Sequence, residues 1–88
     1  MPRSALSLRT AQLTASAHDM TIRKTEFGEY RLAPTLFRLQ EMNPALSRIQ
    51  LIDWQEVLAY YTSDLQDAFD TIGPEAAILD KWKAAEAI

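Results

Sequence analysis

The chain has 88 residues, 48% of them apolar and 24% charged, with two Gly, four Pro, no Cys and a formal net charge of −3. That length suits one domain with a small core, burying roughly 60–65% of the unfolded surface, so association with another chain would help it. The missing cysteines exclude disulfides, thiolate zinc sites, iron–sulfur clusters and a cysteine nucleophile, and no run of 18 apolar residues is present to predict a transmembrane helix.

The first nineteen residues carry Arg3 and Arg9, several Ser and Thr, and no acid before Asp19. Such composition is compatible with a transit peptide, and Ala15-Ser16-Ala17 with a signal-peptidase site, but Arg9 breaks the only candidate apolar stretch. The simpler reading makes residues 1–20 a disordered arm or extension, with Met20 opening a single small helical domain over 21–88. With disulfide-stapled secreted proteins excluded, the chain reads as intracellular and most simply cytoplasmic, organelle import through the arm being the alternative.

From Thr21 to Ala33 the expectation is an extended arm: Phe27-Gly28-Glu29 reads as a bend, and Tyr30 and Leu32 alternate with charges as in a short strand. Pro34 is expected to open a short helix to Met42, because its missing N–H is not needed in a first turn. Asn43-Pro44 repeats that logic for a second short helical piece through Leu46 and Ile49.

The strongest local signals surround Asp53. Asp53 and Glu56 have the spacing of a capping box, and Ile52 and Val57 that of a hydrophobic staple, which predicts a helix running from Asp53 to Ile72. At about 100° per residue, Trp54, Val57, Leu58, Tyr61, Leu65, Ala68, Phe69 and Ile72 share an arc of about 120°, while Asp53, Glu56, Tyr60, Asp64 and Asp67 share one of about 80° on the other side. Leu51, Leu58, Leu65 and Ile72 also recur at heptad spacing, over too short a span for a long coiled coil. Gly73 is placed to end the helix and Pro74 to open the next, running to about Ala87. The predicted fold class is therefore all-α: three to four helices with an αα-hairpin over about 53–72 and 74–87, an extended N-terminal arm, and at most one short strand.

Charge is distributed unevenly. Residues 1–48 hold seven Lys/Arg against four Asp/Glu, whereas residues 49–88 hold two against eight, and no Lys or Arg lies between Arg48 and Lys81. An acidic face repels nucleic acid and attracts basic groups, so Tyr60, Asp64, Asp67 and Glu56 are the candidate contacts for a partner protein with a basic surface. Trp54, Leu58, Tyr61, Leu65, Phe69 and Ile72 are candidates for a core or a homodimer face. An internal pairing of the basic arm with the acidic helix explains the asymmetry equally well.

No catalytic constellation stands out. His18 is the only histidine and lies in the arm, the acids lack the loop spacing of a calcium site, and no glycine-rich phosphate loop is present. The chain is expected to be no enzyme and to need no cofactor or metal. The leading function is a protein–protein interaction module, a small regulator or accessory subunit of a larger assembly. The alternative is a nucleic-acid-directed regulator, either a phosphate-mimicking inhibitor of a nucleic-acid-binding protein or a weak direct binder through Arg23, Lys24, Arg31 and Arg38. Direct nucleic-acid contact is not the favoured reading, because the long helix has the wrong sign.

Overall fold

A computed structural model describes residues 6–86 of the chain. The order of elements is α1 (Leu8–Ala17), β1 (Met20–Lys24), β2 (Tyr30–Pro34), α2 (Leu36–Met42), α3 (Arg48–Leu58), β3 (Tyr60–Thr62) and α4 (Leu65–Glu86). The three strands form one antiparallel sheet in the order β1-β2-β3, so the fold is α+β and the all-α expectation is overturned.

The extended arm is replaced by α1 and a β-hairpin. Ser7 caps α1 by accepting a hydrogen bond from the Thr10 N–H at 3.1 Å, and the helix turns Ala11 and Ala15 wholly into the core. Two alanines do not announce a buried stripe, yet their smallness is what lets α1 lie close against its neighbours. Asp19, at φ 58°, reverses the chain into β1. The hairpin closes at Thr25–Glu29: Gly28 takes φ 84°, and the Thr25 hydroxyl accepts from the N–H groups of Phe27 and Glu29. The expected bend and the alternation at Tyr30 and Leu32 thus belong to a paired hairpin.

Met20 pairs with Pro34, Ile22 with Leu32, Lys24 with Tyr30, and on the other side Leu32 with Tyr60. Met20, Ile22 and Leu32 consequently share one sheet face, and they form the main core with Ala11 and Ala15 of α1 and Ala68, Ile72 and Ala76 of α4. Thr21, Arg23, Arg31, Ala33 and Tyr61 fall on the opposite face by the same alternation. A second cluster joins Leu39 and Met42 of α2, Leu51 of α3 and Leu79 of α4, with Trp54 and Leu58 packed on it.

Pro34 ends β2, and the cap of α2 is Thr35, whose hydroxyl accepts from the Arg38 N–H at 3.1 Å. Asn43 to Ser47 is a turn region without a helix, and α3 begins at Arg48. Its cap is a Ser47–Gln50 box with both reciprocal bonds made, not the Asp53–Glu56 pair. The earlier start is the one that brings Leu51 into the core, while Val57, assigned to the staple, is 79% exposed.

The single helix over 53–72 is divided. Tyr60-Tyr61-Thr62 are aromatic and β-branched residues suited to a strand, and pairing them with β2 supplies partners that its second edge would otherwise lack. Thr62 and Asp64 then shape the restart: the Thr62 hydroxyl accepts from the Asp64 N–H and the Asp64 carboxylate from the Gln66 N–H. The αα-hairpin is absent, because α4 runs without a break through Gly73 and Pro74. Pro74 supplies no N–H to the Asp70 carbonyl and disfavours a helix interior. Burial of Ala68, Ile72, Ala76 and Leu79 at helical spacing on both sides of it offsets that cost.

Candidate functional site

Three polar clusters tie the layers together. On the face of the sheet away from α1 and α4, Arg31 is buried on β2 and donates from Nε and Nη2 to Glu56 at 3.1 and 2.9 Å, and from Nη2 to Gln55 at 3.3 Å. The Tyr61 hydroxyl also donates to Glu56. Tyr61's hydrogen bond, followed by those from Arg31, holds the Glu56 carboxyl below the ordinary carboxylate range. Gln55 donates to the Pro34 carbonyl at 2.8 Å, fixing α3 to the end of β2.

At the start of α4, the Tyr60 hydroxyl donates to Asp67 at 2.6 Å. This bond stabilises the carboxylate and the phenol together, so the Asp67 pKa is lowered and the Tyr60 pKa raised. The third cluster centres on buried Arg38, which contacts Asp80 on α4 and Asp19 after α1, the latter at 3.5 Å.

These clusters place the residues expected at a partner surface. Glu56 faces Arg31 and Tyr61, Asp67 faces Tyr60, and Tyr60 itself is half-buried on β3. Asp64 is exposed ahead of α4. The candidates for a core or dimer face divide three ways: Trp54 and Leu58 pack on the second cluster, Leu65, Phe69 and Ile72 belong to the first, and Tyr61 is exposed. Of the four cations assigned to the arm, Arg31 and Arg38 are buried in ion pairs, while Arg23 and Lys24 are exposed. The sequence asymmetry is thus partly consumed inside the molecule.

Remaining open is the outer surface of α3. Ile49 (73% exposed), Ile52 and Val57 project there among Asp53 and Glu56, and Phe37 of α2 is also exposed beside a shallow groove lined by Leu36, Gln40, Arg48 and Leu51. Asp53 makes no ion pair among the described residues. The sequence did hold a signal for this surface: Ile49 falls off the apolar stripe counted from Asp53. A second cleft, of about 390 Å³, lies under the hairpin between Arg23, Phe27 and Tyr61, with Glu26 and Glu29 also lining it.

No group of His, Asp or Glu able to hold a metal occurs among the described residues, and no helix among them is long and apolar enough to cross a membrane. A scan against protein-family models finds no match, and searches of curated proteins and of solved structures find none either.

Proposed function

We propose that the protein is a non-enzymatic interaction module, a small regulator or accessory subunit that binds another protein inside the cell through the outer face of α3. The observation that carries this reading is the row Ile49, Ile52 and Val57, three large apolar side chains kept in solvent with the carboxylate of Asp53 beside them. Isolated exposed apolar residues are ordinary, but several on one helix face beside a carboxylate suit a partner surface that is apolar with a basic group near it. Asp53, which makes no ion pair among the described residues, contributes a negative charge, and Asp64 can extend the same sign of field toward α4.

Affinity capture from lysate tests this with three baits: the native protein, an Ile49→Ser/Ile52→Ser variant, and Asp53→Lys. The expected result is a protein retained by the native bait, lost with the double variant, weakened by the charge reversal and released by salt. Retention of nothing, or retention indifferent to both variants, would reject it.

A further inference from the structure

Two opposite charges border the apolar row on α3, and neither is engaged within the chain. Arg31 and Arg38 lie buried against carboxylates, whereas Arg48 and Asp53 are exposed and make no ion pair among the described residues. At about 100° per residue, Arg48 stands about 100° to one side of Ile49 and Asp53 about 40° to the other, with Ile52 about 60° from Ile49 on the Arg48 side. The row is therefore edged by a cation toward α2 and by a carboxylate on the far side.

On the Arg48 edge the surface dips into the groove between α2 and α3, of about 260 Å³, where buried Leu51 faces Leu36, Phe37 and Gln40 of α2 and the loop before it. That volume falls below the roughly 300–1,000 Å³ of a small-molecule site and suits one anchoring side chain of a larger partner. Phe37, 66% exposed, adds apolar surface beside it. An extended segment laid here would meet no free backbone groups, because α2 and α3 bond their own internally, and its N–H and C=O groups would stay unpaired against Ile49, Ile52 and Phe37. A helix bonds its own backbone and presents only side chains, so it can lie on such a seam without that loss.

We infer that this seam takes an amphipathic helix whose apolar stripe carries an acid on one flank, for Arg48, and a base on the other, for Asp53. Such an occupant presupposes the α3 docking face proposed above and specifies what covers it. From Arg48 to Val57 the seam runs about 14 Å at 1.5 Å per residue, so about three turns of partner helix match its length. The chain's net charge of −3 attracts basic partners from a distance, but a stripe flanked by bases alone sets a cation against Arg48. One flanked by acids alone sets a carboxylate against Asp53. Only the mixed helix satisfies both edges at close range.

Synthetic helical peptides of about 14 residues test this. They share one leucine stripe and differ in its flanks: glutamate on one and lysine on the other, lysine on both, or glutamate on both. Fluorescence anisotropy of each labelled peptide against the full chain should show saturable binding, with the mixed peptide about threefold or more tighter than either of the others, the scale of an exposed ion pair exchanged for a like-charge contact. Arg48→Glu should move the preference to the two-lysine peptide, Asp53→Lys should move it to the two-glutamate peptide, and Phe37→Ser should weaken all of them. These positions are exposed, so circular dichroism should show the native fold kept in each variant. Absence of saturable binding by every peptide, a native chain that binds a single-sign peptide as tightly as the mixed one, an order unchanged in the two charge variants, or an undiminished affinity in Phe37→Ser would each overturn the assignment. Lysate capture that succeeds while the peptides fail keeps α3 as the docking face and removes the helix with its paired charges.

Discussion

Ala11→Leu separates a packed α1 from a loose N-terminal arm. Ala11 is fully buried and shares the main core with Ala15, Ala68, Ile72 and Ala76, so three added carbons have no space to enter. Overpacking of a close-packed core costs about 1–3 kcal/mol. An 88-residue domain has a total stability of roughly 4–13 kcal/mol, so the loss is a sizeable fraction of the whole. At about 4–8 °C per kcal/mol for a domain of this size, the melting temperature should fall by roughly 4–24 °C. Ala17→Leu is the control, because Ala17 is exposed at the end of the same helix and the change there should stay within about 0.5 kcal/mol. Urea unfolding followed by circular dichroism and by the fluorescence of half-buried Trp54 reports both. Equal midpoints and slopes for Ala11→Leu, Ala17→Leu and the native chain would show that α1 takes no part in the core.

The two glycines should respond in opposite directions. Gly73 has open space around an added Cβ and no positive φ, so Gly73→Ala should stabilise α4 by about 0.5–1 kcal/mol, whereas Gly28→Ala at φ 84° should destabilise by about 1 kcal/mol; thermal melts of the pair check the signs. Ser47→Ala should cost about 1 kcal/mol and Asp53→Ala much less, since Ser47 holds the cap; comparable losses in urea titrations would restore the later helix start. Glu56 and Asp67 have lowered folded pKa values, so their contributions are complete above the unfolded pKa near 4 and are lost as pH falls through the folded values. Glu56→Gln and Asp67→Asn should therefore flatten the acid limb of the stability curve between about pH 5 and 2, and slopes equal to the native chain's would remove the assigned hydrogen bonds from the explanation.

Local chemistry in the sequence determined the bend at Phe27-Gly28, a helix ending at Met42, the break around Asn43-Pro44 and the uneven placement of charge. Each rests on neighbours within a few residues: a positive φ suits Gly28, and Pro44 disrupts whatever precedes it. Tertiary structure decided the rest, beginning with β3, which exists because β2 has a second edge to pair. It also chose between two legitimate caps, Ser47 and Asp53, by whether Leu51 was to be buried. The buried stripe of α4 overrode the Gly73-Pro74 stop, and the partners of α1 turned Ala11 and Ala15 into core. Finally, it determined which acids were already occupied: Glu56 by Arg31, Asp67 by Tyr60, Asp80 by Arg38. Helical spacing identifies residues on one face, but only the pairing itself, 25 residues apart for Arg31–Glu56 and 42 for Arg38–Asp80, shows what that face meets.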